Sequence, residues 1–381
     1  MHAIGGWRTI RIEMRTIRIE LGPASHNAHV GAGILDRLGD LACDAGLKPG
    51  SCAVVTDSTV EKLYAARVED TLGKSGFAAA VISVPPGEAS KSLATLELLY
   101  DRMTEIGLDR NSAVFALGGG VVGDLAGFAA ATFLRGVALV QVPTTVVAQV
   151  DSALGGKTAV NHRHAKNLIG AFYQPRLIVA DVNSLATLPD REFREGLAEV
   201  VKYGAIMDAP MIADLERDLD SIVARRPDLL EQVVARSLMH KAAVVGADER
   251  ESGLRKTLNF GHTIGHAIEA SAGYGRYFHG EAVAIGMVAA ARLSCSYAGF
   301  SADEASRLQR LIERAGLPTA MPPGWHGDDF IRALGLDKKR AAGAVEFVLL
   351  DRLGHSLTKS LSIDEIVAPL LQIGAHGKLG S

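Results

Sequence analysis

The spacing of apolar and polar positions divides the chain into two halves. From Ile17 to about Leu188, short apolar runs recur between helical stretches: CAVVTD (52–57), AAAVISV (78–84), SAVFALGGG (112–120), GVALVQVP (136–143) and RLIVAD (176–181). Runs of this length that are apolar throughout, rather than at alternate positions, predict strands covered on both faces, as in a mainly parallel sheet. Strands and helices in alternation predict an α/β nucleotide-binding architecture. From Pro189 onward long amphipathic or wholly apolar segments take over. Asp190–Met207, Asp228–Val245, Thr263–Ala270, Glu281–Tyr297 and Ala302–Ala315 predict helices, with a late strand at Glu346–Leu350. The pattern therefore predicts an α/β domain over residues 14–188 and an all-α domain over 189–381, with an active site favoured where the two meet.

Residues 1–13 stand outside this reading. RTIRIE occurs at Arg8–Glu13 and again at Arg15–Glu20 with Met14 between, so the first copy is expected to be an upstream extension ahead of a start at Met14. The 381 residues, 48% hydrophobic, suffice for two buried cores. A net charge of −3 provides no global basic field, which disfavours nucleic acid and requires local Lys and Arg for any anionic substrate. Cys43, Cys52 and Cys295 have neither disulfide nor zinc-site spacing, as expected in a reducing cytoplasm. No apolar run reaches 18 residues, so no membrane partner is expected.

Chemistry concentrates in three stretches. After the strand AVFAL come Gly118, Gly119, Gly120, Val121, Val122, Gly123 and Asp124, then a helix of small residues. This satisfies G-x-G-x-x-G between a strand and a helix, where bare backbone can approach a pyrophosphate. No acidic residue follows at the usual distance of about 20 residues, which disfavours an ordinary Rossmann dehydrogenase. Asp57 and Glu88 are the acids left for ribose. GGKT (155–158) imitates the end of a Walker A loop, but Asp151 occupies the position of its first glycine, so ATP hydrolysis is not supported. Asp151, Lys157, Lys166 and Asn167 remain there, either as an anion-binding run or as a solvated loop.

The third stretch is NFGHTIGHAIEASAGYGRYFHGE (259–281), with His262, His266 and His279 in apolar surroundings. Histidines of the core or at helix ends account for any one of them; three together point to a metal. Spacing alone pairs His262 with His266, four apart on one helical face. In REFREGLAEVVKYG, Glu192 and Glu195 lie near the helix start, where carboxylates complement the dipole and face solvent. Glu199 lies between Ala198 and Val200 with Lys202 one turn on, so its burial requires a metal or a cation as partner.

Taken together, ALGGGVVGDLAGF, QVPTT, AQVDSALGGKTAVN, KNLIGAFYQP, GLAEVVKYG, ADERE, NFGHTIGHAIE and HGEAVAIGM resemble the 3-dehydroquinate synthase family of sugar phosphate cyclases, in order over roughly residues 17–365. The resemblance implies NAD+, a zinc or cobalt ion, and a homodimer. It implies Glu199, His262 and His279 as metal ligands, which moves His266 into substrate binding. Nucleotide contacts are implied for Gly119, Gly120, Val121, Val122, Gly123 and Asp124, with Asp57, Glu88, Lys91, Thr144, Thr145, Ser184, Leu185 and Thr187 around them and Lys157 and Lys166 shared with the substrate. Substrate contacts are implied for Asp151, Lys157, Lys166, Asn167, Lys202, Lys241, Arg255, Asn259, His266 and one lysine of Asp337-Lys338-Lys339, here assigned to Lys338. Arg135, in FLRG, resembles the arginine that the family sends across the dimer to the neighbouring phosphate site.

The implied substrate, 3-deoxy-D-arabino-heptulosonate 7-phosphate, carries a phosphate and a carboxylate, which explains local cations in a chain of near-neutral charge. The implied reaction oxidises the C5 carbinol, eliminates phosphate, returns the hydride and recloses the ring by an aldol step to 3-dehydroquinate, with NAD+ regenerated. Arg163 and Ala165 depart from the family's usual Pro and Gly before the lysine, Phe133 replaces a common Tyr, and Thr59 stands where some members have Asn. Two rival readings share the architecture: a metal-dependent polyol or glycerol dehydrogenase, and a cyclase acting on sedoheptulose 7-phosphate or glucose 6-phosphate. A polyol dehydrogenase would release NADH and has no need of so many anion-binding residues, whereas Lys241, Arg255, Asn259 and His266 resemble the carboxylate-handling type and disfavour the other cyclases.

Overall fold

The computed structural model describes residues 14–251, 253–272, 276–321 and 344–366. Residues 1–13, Gly273-Tyr274-Gly275, Lys338 with its neighbours and the C-terminal tail lie outside the described residues. The chain forms two compact units that interleave along the sequence. One contains 14–18, 24–144 and 158–184; the other contains 19–23, 145–157 and the described residues from Leu185.

The first unit is a seven-stranded sheet in the order β1-β2-β9-β6-β5-β3-β4. Its strands are β1 (Arg15–Ile19), β2 (His26–Gly31), β3 (Ser51–Asp57), β4 (Ala78–Val84), β5 (Ala113–Gly118), β6 (Ala138–Pro143) and β9 (Leu177–Asp181). The pairings of β2 with β9, β9 with β6, β6 with β5, β5 with β3 and β3 with β4 are all parallel. A hairpin of β7 (Lys157–His162) and β8 (Ala165–Phe172) forms a separate two-stranded sheet. The apolar runs have the predicted cause. Phe115 and Leu117 of β5 point into one core with Val54 of β3, whereas Val114 and Ala116 point into the other with Val55. One core is closed by α1 (Leu38–Asp44) and by α2 (Ser58–Val60), which runs through a π turn into α3 (Ala66–Lys74). α4 (Leu93–Glu105) and α5 (Gly120–Thr132) close the other. Each fully buried Leu or Phe contributes about 1.5–3 kcal/mol relative to exposure.

The second unit is helical: α6 (Asp190–Met207), α7 (Ala209–Val223), α8 (Pro227–Ala247), α9 (His262–Ala272), α10 (His279–Tyr297) and α11 (Ala302–Arg314). Two features differ from expectation. α7 separates α6 from α8, and the late strand is the first arm of an antiparallel hairpin, β10 (Ala344–Arg352) with β11 (His355–Ser362), so this half is helical with one β element. α10 is the central helix, buried along almost its whole length. Its glycines let neighbouring backbone come close: a Cβ on Gly286 would stand 2.0 Å from the Gly261 carbonyl oxygen, and one on Gly280 would stand 1.8 Å from that of Glu195. Any side chain at these positions would force α10 away from the start of α9 and from α6.

Candidate active site

Those close approaches bring Glu199 of α6, His262 of α9 and His279 of α10 together. Glu199 is fully buried, and Lys202 Nζ lies against its Oε2. Its Oε1 is 3.4 Å from His262 Nε2 and 3.6 Å from His279 Nε2. Ligands about 2.1 Å from one tetrahedral centre stand about 3.4 Å apart, so these three atoms fit a common ion. The far ring nitrogens are already engaged, His262 Nδ1 with the Phe260 carbonyl at 3.2 Å and His279 Nδ1 with Glu269 Oε2 at 3.2 Å. Beyond the ion pair with Lys202 neither oxygen of Glu199 has a well-aligned donor, a costly state for a buried carboxylate that a divalent cation relieves.

A second set of facing donor atoms, His266, Glu269 and His279, shares His279 with the first. His266 is more exposed, its ring 5.5 Å from that of His262 and 5.8 Å from that of His279. The buried carboxylate belongs to the first set, and there the need for a cation is greatest.

Electrostatics agree with that choice. Burial, and then Lys202, hold His262 well below the usual histidine range, so it is neutral and free to ligate. Burial also acts against protonation of His279, but the Glu199 and Glu269 carboxylates outweigh it and raise the ring to about 10. Without an ion, His279 therefore carries a proton that joins two carboxylates, a task a divalent cation takes over. Burial pushes Glu199 upward, yet Lys202 and His262 hold it below the ordinary carboxylate range.

One turn further along α6, Tyr203 is fully buried and donates to Asp151 Oδ1 at 2.6 Å. Lys241 donates to the Asp151 carbonyl at 2.7 Å and pairs with its carboxylate at 2.9 Å. Burial works against ionisation of Asp151, but Lys241 and Lys202 keep it charged, well below the usual range. Arg255, also buried, reaches the Gly155 carbonyl at 3.2 Å. This contact accounts for the false Walker glycine: Gly155 has φ +108°, and a Cβ there would stand 2.4 Å from the Arg255 guanidinium. Glu251 pairs with Lys157 and accepts from Asn259 Nδ2 at 3.2 Å. The second unit thus brings together Asp151, Lys157, Lys202, Lys241, Arg255, Asn259 and His266 of the expected substrate set, while Lys338 lies outside the described residues.

Of the remaining expected contacts, Thr145, Leu185 and Thr187 belong to the second unit and the others to the first. Gly119 precedes α5 as its N-cap, so the backbone of Gly120, Val121 and Val122 opens the helix as an anion-binding loop requires. Gly123 packs against β6, where a Cβ would stand 2.9 Å from the Gln141 side-chain oxygen. Lys91 is buried between Asp124 Oδ2 and Asn167 Oδ1, both at 2.5 Å. Asn161 donates to Glu88 at 2.6 Å and accepts the Asn167 N–H at 2.9 Å, so Glu88, Lys91, Asp124 and Asn167 form one network with a member the motifs did not single out. Asp57 Oδ1 caps α2 through the Thr59 and Val60 amides. Thr144 is buried with its hydroxyl unpaired, and Thr145 Oγ1 accepts the Ala148 N–H at 3.2 Å. Ser184 donates to the Asp181 carbonyl, Leu185 is buried, and Thr187, Lys166 and Arg135 are exposed.

Three acids need comment. Glu195 does not simply face solvent as expected; its Oε2 accepts the Gly280 N–H at 2.7 Å, and burial pushes its carboxyl up to about 7. A helical period places Glu195 and Glu199 on one face, and that signal could have found it. Glu269 was missed although it follows His262 by seven and His266 by three along the same face of α9. Glu251, within ADERE, had no such signal, because its partner Lys157 lies 94 residues away at the start of β7 and Asn259 reaches it only through the fold.

The 3-dehydroquinate synthase N-terminal family matches residues 81–195, and the 3-dehydroquinate synthase C-terminal family matches residues 196–340. A 3-dehydroquinate synthase of Pelobacter propionicus is 49% identical over 354 residues, 93% of this chain and 98% of that protein. Among solved structures, a 2-deoxy-scyllo-inosose synthase complexed with carbaglucose-6-phosphate, NAD+ and Co2+ is 28% identical with a TM-score of 0.86, over 94% of this chain and 100% of the other. The 2-epi-5-epi-valiolone synthase of Streptomyces hygroscopicus subsp. jinggangensis 5008, with NAD+ and Zn2+ bound, is 27% identical with a TM-score of 0.84, over 97% and 99%. A glycerol dehydrogenase of Schizosaccharomyces pombe, 19% identical with a TM-score of 0.66 over 91% and 88%, shares the fold alone.

Proposed function

Because the chain belongs to the 3-dehydroquinate synthase family, we propose that it converts 3-deoxy-D-arabino-heptulosonate 7-phosphate to 3-dehydroquinate and phosphate, as a carbon–oxygen lyase that uses NAD+ catalytically with one zinc or cobalt ion. The observation that carries this reading is the buried group around Glu199 and Asp151, where two acids meet three basic side chains, Lys202, Lys241 and Arg255. A neutral polyol gives no reason to bury so many cations, whereas a phosphate and a carboxylate do.

When bound, the nucleotide supplies a reversible hydride acceptor and the metal polarises a substrate oxygen. The chain's own part is to hold and orient. Glu199, His262 and His279 would hold the metal, and the loop at Gly119–Asp124 with Glu88 and Lys91 would hold the nucleotide. Lys157, Asn259 and Arg255 would fix the anionic ends of the substrate, with Asp151 kept charged beside Lys241 to accept a hydrogen bond from a substrate hydroxyl and orient it. Lys166 and Asn167 on β8, His266 on α9 and Lys338 complete the proposed substrate set. Fixed charges of this kind lower a barrier by positioning rather than by covalent chemistry.

The α/β part over 14–188 would carry the nucleotide, and the helical part from 189 the metal and substrate. A homodimer is the proposed assembly. In its support, β8 pairs on one side with β7, carries Leu168 and Phe172 exposed at 59% and 49%, and lies on no other strand among the described residues. The net charge of −3 supports a small anionic substrate met by local cations over nucleic acid. No described helix is long and apolar enough to cross a membrane, and the proposed place of action is the cytoplasm.

Incubation with the heptulosonate phosphate, sedoheptulose 7-phosphate, glucose 6-phosphate and glycerol, each with NAD+ and Zn2+, tests the proposal. Phosphate release from the first without net NADH is the expected result. Net NADH from glycerol, or turnover of another sugar phosphate instead, overturns it.

A further inference from the structure

His279 is fixed twice over by its main chain. Gly280, the next residue, donates its N–H to Glu195 of α6 at 2.7 Å. Glu281 is clamped by both arms of Arg191, at 2.7 and 2.8 Å, and in turn accepts the Phe278 N–H at 2.9 Å. These contacts set where the ring starts. They leave its rotation about the Cβ–Cγ bond open, and that rotation decides which nitrogen faces Glu199.

Glu269 settles it from α9. Its Oε2 stands 3.2 Å from His279 Nδ1, on the side of the ring opposite to Glu199, and its side chain is only 12% exposed. A carboxylate on Nδ1 holds the proton there and turns the lone pair of Nε2 toward Glu199 and His262. The other imidazole is oriented more weakly, since His262 Nδ1 meets only the backbone carbonyl of Phe260. The two histidines therefore differ as ligands, and the difference lies in their outer partners. We propose that Glu269 is a positioning residue for the metal site: its charged carboxylate fixes the tautomer and orientation of His279 and strengthens it as a ligand, without itself touching the ion. This rests on the reading of Glu199, His262 and His279 as the ligand set, and it adds a fourth side chain from the same helix that supplies His262.

The test uses the full chain, stripped of metal, titrated with Co2+ against a competing chelator and followed by the visible absorption of the bound ion. Glu269→Gln keeps the shape and loses the charge; Glu269→Ala loses both. Both variants are expected to bind one Co2+ at saturation, with affinity lowered about 10–100-fold and a shifted Co2+ spectrum, while the metal-free proteins melt as the parent does. His279→Ala is expected to lose stoichiometric binding and His266→Ala to keep it. Retention of full binding by His279→Ala defeats the ligand assignment itself, whatever Glu269 does. Given loss in His279→Ala, parental affinity in Glu269→Gln overturns the positioning role. So does complete loss in Glu269→Gln paired with retention in Glu199→Ala, which would make Glu269 a ligand.

Discussion

Tyr203 illustrates how much of the site rests on single buried groups. Its hydroxyl is buried away from the surface and donates to Asp151, the carboxylate that also answers Lys241. Burial, and then the neighbouring charges of Asp151 and Glu199, hold the phenol well above its usual range, so it remains a donor at any working pH. Tyr203→Phe removes one hydrogen bond to a charged acceptor and is expected to destabilise the fold by about 1–3 kcal/mol. It should also lower kcat/KM through Asp151, with metal stoichiometry unchanged. Urea denaturation and steady-state rates check both, and an unchanged unfolding midpoint would show that the bond contributes nothing. At this scale the sequence was informative wherever a residue contradicted its surroundings. Glu199 between Ala198 and Val200 announced itself, as did three histidines among Gly, Ala and Ile. Choosing two histidines of three was beyond spacing, because His262 and His266 share a helical face whereas His279 reaches Glu199 only through the packing of α10 on α6. Glu195, Glu251 and Glu269 look like ordinary surface acids until their partners are known.

At the scale of elements, the long helices and the buried parallel strands were legible because their periodicities are strong. β1, β2, the β7–β8 hairpin and β11 were not assigned, since short strands with mixed burial give little period to read. α7 does carry a start signal, an Asp cap followed by proline at Asp208 and Pro210, between two helices of stronger period. That Asp208 is a joint for three helices. It ends α6, caps α7 through the Met211 amide at 3.1 Å, and grips Arg236 of α8 with both oxygens at 2.6 Å, with His240 Nε2 at 2.5 Å. Burial raises its carboxyl, but the Arg236 and His240 bonds outweigh burial and hold it below the ordinary range. A carboxyl depressed in the folded state adds stability that is complete above its unfolded value, near pH 3.9, and is lost as the pH falls through the lower folded value. Asp208→Asn keeps a cap acceptor and gives up the charge, so it should cost about 1–3 kcal/mol at pH 7. The gap from the parent should close on acidification below about pH 4. Denaturation curves at pH 7 and pH 3 decide it, and a gap of equal size at both would rule the linkage out.

For the whole molecule, the sequence led to two halves with a cut near residue 188, whereas the compact units interleave, since 19–23 and 145–157 group with the helical one. Periodicity sees neighbours along the chain and is blind to a loop that leaves one unit to pack in the other, which is how Asp151 comes to lie with Tyr203 and Lys241. Assembly is blinder still, because one chain records only what it leaves exposed. Arg135 is such a record. Leu134 and Arg135 both adopt left-handed backbone, with φ of 50° and 66°, an unfavourable state for two successive residues other than glycine. The turn holds Arg135 out, with Leu134 41% exposed, and Tyr173 at the end of β8 ties the following segment by donating to the Val137 carbonyl at 2.7 Å. Strain spent on presenting a guanidinium makes sense if its target is on a second copy of the chain, as the resemblance of FLRG to the family's cross-dimer arginine implies. Arg135→Ala and Lys166→Ala should each abolish most activity alone. In a crossed arrangement, a hybrid dimer puts both defects in one site and leaves the other intact, so an equal mixture after subunit exchange should recover about a quarter of parental activity. If Arg135 serves its own chain, every hybrid site carries one defect and nothing returns. Mixed dimers verified by tagged purification, yet no more active than either variant, would end the idea of a shared site.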